Sequence, residues 1–202
     1  MSFSGGKDST VLLQLVREVN PNISAVYIDT GLEYPEVKKF IRTWDNVEIV
    51  RPKMSFKEVI QKYGYPVISK ESARNIQYAR RALKLGDQEK YERYALGKRK
   101  RKNGEVYYFN KLSKLSMKLL ETDIPISAEC CTIMKKNPVK KYEKENKKHP
   151  FLGMLAEESK LRETEVLKQD CFNVHDGERP RSLPIAFWTE QDILRYIKET
   201  NL

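Results

Sequence analysis

Phe3-Ser4-Gly5-Gly6-Lys7-Asp8-Ser9-Thr10 is the stretch on which the reading of this chain turns. Two adjacent glycines let the backbone bend tightly and bring N–H groups close to a ligand. A helical pattern follows at once, with Leu12, Leu15, Val16 and Val19 at i, i+3, i+4 and i+7. The first turn of that helix offers unpaired N–H groups and the positive end of the helix dipole. Lys7 adds a point charge. A phosphate is the guest such a turn suits. The stretch is not a Walker A loop, because the four-residue spacer between its first glycine and Gly-Lys-Ser/Thr is missing. The bland alternative is an ordinary glycine turn between a strand and a helix.

Outward from the loop, strand and helix signals alternate. Only Met1, Ser2 and Phe3 precede it, so the first strand is expected to be very short. Ile23 to Asp29 is a short, β-branched apolar run that reads as a buried strand. Asp29-Thr30-Gly31-Leu32-Glu33 stands at its C-terminal end, where open parallel sheets bind ligands. A helix is expected from Glu36 to about Trp44, and a third strand over Val47–Val50, stopped by Pro52. Ser55 and Glu58 form a capping box ahead of a helix from Phe56 to Tyr63 that ends at Gly64. This order predicts an α/β chain with a doubly wound parallel sheet.

From Lys70 to Lys102 the character changes. Twelve Lys and Arg face four acids, most of the net +10 of the whole chain, with Tyr78, Tyr91 and Tyr94 interleaved. The segment reads as helical, with a break near Gly86 and a loop over Lys98–Gly104. A basic face with aromatics suits nucleic acid, although a solvated surface has the same composition. Glu105–Asn110 reads as a hairpin strand after the Asn-Gly turn, and Leu112–Leu120 as a helix. Further on come Cys130-Cys131 with Lys135, Lys136 and Pro138, then an expected strand at Phe151–Leu155, then Glu158-Ser159-x-x-Arg162. Ser159 and Arg162 are three apart, on one helix face. Arg179-Pro180-Arg181 reads as a basic loop. Thr189 reads as the N-cap of a last helix, with Asp192 closing the box.

Four of these stretches, in order, resemble the phosphoadenylyl-sulfate (PAPS) reductase family of the PP-loop (ATP pyrophosphatase) superfamily. They are Ser-Gly-Gly-Lys-Asp-Ser, Asp-Thr-Gly with Pro35-Glu36, Cys-Cys-x₃-Lys-Lys-x-Pro, and Gly-x₄-Glu-Ser-x₂-Arg. The resemblance implies an adenine nucleotide alpha hydrolase-like fold with a basic, mostly helical insertion at 70–111 and a C-terminal part over 125–202, within one domain. It implies a nucleotide, PAPS or ATP, held by Ser4, Gly5, Gly6, Lys7, Asp8, Ser9, Asp29, Thr30, Lys135, Lys136, Ser159 and Arg162. Lys7 and Asp8 would serve the chemistry, with Mg²⁺ present if the ligand is ATP. One family arginine is replaced by Leu155.

The resemblance further implies a [4Fe-4S] cluster. Cys130, Cys131 and Cys171 are its candidate ligands, since the family's later Cys-x-x-Cys is absent. With His175 the same cysteines would make a zinc site. Reduction of a sulfonucleotide needs a tail cysteine, in Glu-Cys-Gly-x-His, which these 202 residues lack. The alternatives are an ATP-pyrophosphatase-type sulfurtransferase acting on nucleic acid through Lys70–Lys102, and a catalytically inactive nucleotide-binding domain.

The totals agree with these readings. A net charge of +10 favours anionic partners. No apolar run approaches the roughly 20 residues of a membrane span. The loop begins at once, so no signal peptide is expected. Three cysteines, two of them adjacent, do not form a disulfide framework, which points to a reducing, cytoplasmic setting. The pattern is compatible with a homo-oligomer without requiring one.

Overall fold

Of the short apolar runs in the first fifty residues, Val11–Leu13 is buried in a helix, Ala25–Ile28 is a mostly buried strand, and Val47–Val50 is a strand whose residues are half-buried or exposed. In the computed structural model, which describes residues 1–168, 173–176 and 179–202, the chain forms two units: Met1–Pro52 with Asn137–Leu202, and Lys53–Lys136. In chain order the first unit opens with α1 (Lys7–Val19), β1 (Ala25–Ile28), α2 (Pro35–Arg42) and β2 (Val47–Val50). The second unit holds α3 (Phe56–Tyr63), α4 (Lys70–Lys84), α5 (Gln88–Ala95), β3 (Lys98–Lys100), β4 (Val106–Tyr108) and α6 (Lys114–Leu120). The first unit resumes with α7 (Asn137–Asn146), α8 (Lys160–Lys168), β5 (Asn173–Asp176), β6 (Arg179–Ser182) and α9 (Glu190–Thr200).

The sheet of the first unit is built around the short run before the loop. β1 and β2 pair in parallel, Ala25 with Val47 through Ile28 with Val50. On the other side of β1, Ser2 bridges Val26 in parallel, and the Ser2 N–H donates to Phe151 O at 3.0 Å. Phe151 in turn bridges Ser182 of β6 in parallel, and β5 closes the edge antiparallel. The order across the sheet is therefore β2, β1, Met1–Phe3, Phe151, β6, β5. The chain moves outward from Met1–Phe3 in both directions, which makes the loop after Phe3 a topological switch point. The doubly wound reading holds. The expected strand at Phe151–Leu155 shrinks to a single bridge, because the chain leaves the sheet into a short 3₁₀ turn, Ala156–Glu158.

The core explains the sequence pattern. Val11, Leu12 and Leu13 are fully buried, with Phe3, Tyr27, Ile41, Leu155, Ile185 and Ile193 around them. Burial in α1 thus centres on its first two turns rather than on the expected stripe, and Val19 at the helix end is 89 % exposed. Leu155, where the family resemblance calls for arginine, is a core residue at 2 % exposure. α9 packs against α1, and its start follows the expected box, with Thr189 and Asp192 capping each other.

The second unit has its own core of Ala73, Ile76, Ala79, Ala95, Leu112 and Ile126. The capping box of Ser55 and Glu58 and the stop at Gly64, φ +106°, form as read from the sequence. The basic stretch is mostly α4 and α5. Its last part is not a loop: Lys98–Lys100 is a strand paired antiparallel with Val106–Tyr108. Among the described residues no helix is long and apolar enough to cross a membrane.

Candidate functional site

Gly5 carries φ +73°, and a side chain there would also press on Ile41 and Val37 of α2, whose nearest atoms lie about 3.0 Å from its Cβ position. Glycine is what lets the loop run this close to α2. Gly6 is the N-cap of α1 and has no side chain to satisfy the first turn. The first hydrogen bond back along the helix is Thr10 N–H to Gly6 O at 3.0 Å. The N–H groups of Lys7, Asp8 and Ser9 are thus the free donors of the turn.

The serines shape the loop rather than cap the helix. The hydroxyls of Ser4 and Ser9 lie 3.0 Å apart, Ser4 N–H donates to Ser9 Oγ, and Ser9 Oγ–H donates to Gly6 O at 2.9 Å. Gly6 N–H donates to Ser4 Oγ at 3.3 Å. Just past the bridge at Phe151, Gly153 seats against the turn. A Cβ there would lie 3.0 Å from the carbonyl of Asp8 and the nitrogen of Ser9. The position of α1 relative to the sheet depends on that glycine.

Lys7 is held at the mouth of the loop. Its Nζ is 2.9 Å from Asp8 Oδ1 and 3.2 Å from Glu190 Oε1 at the start of α9. The hydrogen bond with Asp8 is the main reason its pKa is raised, so the ammonium stays charged. Glu190 N–H is in turn capped by the Glu157 carboxylate. No sequence signal joins Lys7 to Glu190 across this span of chain, and the Gly-x₄-Glu-Ser-x₂-Arg stretch marks Gly153 without telling what it packs against.

Asp29 and Thr30 follow β1 on the same edge of the sheet as the loop. Asp29 Oδ1 meets Lys38 Nζ at 2.9 Å, and Oδ2 meets Arg51 Nε, just past β2, at 3.4 Å. Lys38 is the main cause that holds the Asp29 carboxyl below its ordinary pKa, helped by the Gly31 N–H and by Arg51. A carboxyl with a depressed folded-state pKa contributes stability above its unfolded value of about 4 and loses it as pH falls through the lower folded value. Lys38→Met is therefore expected to raise the Asp29 pKa, read by carboxyl NMR titration. An unmoved titration would contradict the pair.

Thr30 bonds back to Glu33, Oγ1 to Oε1 at 2.5 Å and N–H to Oε2 at 3.1 Å. Beside them the Tyr27 hydroxyl is buried close to the Glu33 carboxylate. Burial, with the Glu33 and Asp29 carboxylates near, pushes its pKa up to about 12. Lys38, Arg51, Glu33 and Tyr27 were not predicted as site residues. Their roles come from tertiary placement.

The remaining candidates are placed within their own elements. Ser159 caps α8 through Arg162 N–H, and the Arg162 guanidinium is paired with Glu158. Arg181 lies in β6 and is paired with Glu165, so Arg179–Ser182 is a strand rather than a loop. Lys135 and Lys136 belong to the second unit, in a π-helical turn over Thr132–Lys136. Such turns often accompany functional sites. Cys130 and Cys131 precede that turn as free thiols, and burial first, then Cys131, raises the Cys130 pKa. Among the described residues no three His, Cys, Asp or Glu side chains are placed to hold a metal ion. Cys171 lies outside the described residues, and only the backbone of His175 is described.

The fold and loop define an α/β domain with an uncapped helix start at its switch point. A family model described as phosphoadenosine phosphosulfate reductase domain matches residues 1–202, and the chain belongs to that family. Among solved structures it is similar to a phosphoadenylyl-sulfate (PAPS) reductase from Candida auris in a phosphate complex. The TM-score is 0.52 at 13% identity, over 100% of this chain and 72% of that one, a likeness of fold. Two uncharacterized proteins of Methanocaldococcus jannaschii match shorter stretches. MJ0973 is 41% identical over 69 residues, 32% of this chain and 17% of that protein. MJ0066 is 38% identical over 71 residues, 33% of this chain and 15% of that protein. The matched stretches thus cover under a fifth of either relative.

Proposed function

We propose that this chain supplies the adenine-nucleotide site of a PAPS reductase-family enzyme of sulfur metabolism. Loop Ser4–Ser9 takes the phosphate- or sulfate-bearing end, and the Asp29–Thr30 edge lies toward the adenosine. The observation that carries this reading is the uncapped first turn of α1 at the switch point of the sheet, with Lys7 at its mouth. Three unpaired N–H groups, a helix dipole and an ammonium converge on one small volume. Lys7 gives the charge, and Asp8 keeps that charge in place. For Lys135, Lys136, Ser159 and Arg162 the reading rests on the family resemblance. Arg162 would have to leave Glu158 to reach an anion.

PAPS is the first ligand to test and ATP the second. Calorimetric titration with each, with and without Mg²⁺, separates them. PAPS binding without ATP binding supports sulfonucleotide reduction. Conversion of ATP to AMP and pyrophosphate supports an adenylating sulfurtransferase, the reading favoured by the excess of cations in the second unit. Binding of either without turnover supports a nucleotide-binding domain only. Failure of both ligands to bind overturns the proposal. Cys130 and Cys131 offer two thiols toward a metal centre, with Cys171 as the third candidate. Iron, sulfide and zinc analysis after anaerobic purification decides whether they carry one.

A further inference from the structure

The second unit carries a surface outside the residues assigned to the loop site. β3 and β4 form a two-stranded ribbon with Lys98 opposite Tyr108, Arg99 opposite Tyr107 and Lys100 opposite Val106. Directly opposed residues of an antiparallel pair point to the same face, so Lys98, Lys100 and Tyr108 share one face and Arg99 and Tyr107 the other. The turn is closed by Gly104 N–H to Arg101 O at 3.0 Å and by the Arg101–Glu105 ion pair. The base is fixed too. Phe109 N–H donates to Gly97 O at 2.8 Å, and a Cβ on Gly97 would lie 2.5 Å from Phe109 O. The ribbon is anchored beside the buried pair Ala95 and Leu112, whose backbones bond at 3.1 Å.

What the ribbon exposes is unusual for a surface with no partner. Tyr108 is 68 % exposed, Phe109 59 % and Tyr107 39 %, three consecutive rings beside five consecutive cations, Lys98 to Lys102. The Arg101 guanidinium already lies over the Tyr107 ring, 5.6 Å from its centre. Of the five cations, Lys98 is paired with Glu92 of α5 and Arg101 with Glu105, Arg99 donates to Arg93 O at 2.7 Å, and Lys100 lies near Glu92 without a direct ion pair, so Lys100 and Lys102 form no ion pair among the described residues.

We propose that the ribbon Lys98–Phe109 is a docking surface for single-stranded nucleic acid, with Tyr108 stacking a base on the face it shares with Lys98 and Lys100, Phe109 offering a second exposed ring at the end of the ribbon, and Lys100 and Lys102 meeting phosphates. An acidic peptide would match the cations and leave the exposed rings of Tyr108 and Phe109 without a counterpart. A duplex would offer phosphates but keep its base faces stacked inside. Unpaired bases use both features. The inference extends the sulfurtransferase reading above but rests on the ribbon alone.

Fluorescence anisotropy with labelled oligothymidylate and oligouridylate tests it, with a duplex of equal length beside them. The full chain is expected to bind the single strands more tightly than the duplex, with affinity falling as salt rises. Tyr108→Ala with Phe109→Ala is expected to weaken single-strand binding at least about fivefold for each ring lost. Lys100→Glu with Lys102→Glu is expected to weaken binding and flatten the salt dependence. PAPS and ATP titrations on the same variants check the loop and are expected to be unchanged, so the two readings fail separately. Equal affinity for duplex and single strand, or full binding after loss of both rings, overturns the proposal and leaves a plain cationic patch. No binding to either strand overturns it outright.

Discussion

Lys7→Ala is expected to weaken nucleotide binding about tenfold to a hundredfold, with little change in melting temperature. A hydrogen bond from a charged donor to an anion contributes about 1.5–3 kcal/mol, and each 1.4 kcal/mol is about tenfold in affinity. The variant also leaves Asp8 and Glu190, both now unpaired, facing the incoming phosphate. Stability should hardly move. The Lys7 side chain is 38 % exposed, and exposed ion pairs contribute little to folding. Titration calorimetry and a thermal melt on the same preparation check both halves. An unchanged dissociation constant would mean that Lys7 is a surface lysine beside the loop rather than part of its anion site.

Gly64→Ala is expected to destabilise the second unit by about 3 kcal/mol or more. The residue has φ +106°, and a Cβ would lie 2.4 Å from both the carbonyl carbon and the oxygen of Pro125. Backbone cannot swing aside as a side chain can, so strain and overlap add. Gly31→Ala is the control. It has φ +83° and nothing within 4 Å of the added carbon, so only the backbone strain of about 1–2 kcal/mol applies. Urea unfolding of the two variants should separate them clearly. Equal midpoints would contradict the close approach at Pro125.

Much of the fold was legible because it is written locally. The Ser55–Glu58 and Thr189–Asp192 boxes depend on residues three apart, and both form. The loop and the strand pair β1 and β2 follow from glycines and short apolar runs. The basic strand β3 was hidden because Lys-Arg-Lys has no apolar alternation; its partner strand and the Asn103-Gly104 turn make it a strand. Arg181 looked like part of a free loop because its partner Glu165 lies on another element. In the site, Ser4 to Ser9 carry their own signal. Glu190, Lys38 and Arg51 do not, since their roles exist only once the parallel sheet brings several strand ends to one edge. Leu155 shows the reverse case, in which a departure from the family pattern became a core position at 2 % exposure.

The central claim is that an anion sits on the first turn of α1. Amide nitrogen–proton NMR during titration with PAPS, and then with inorganic phosphate, tests it most directly. The claim predicts that the resonances of Gly6, Lys7, Asp8 and Ser9 move first and furthest, that both ligands move them in the same direction, and that Lys7→Ala reduces the response. Saturable shifts that leave these four amides unmoved would place the anion elsewhere and contradict the account.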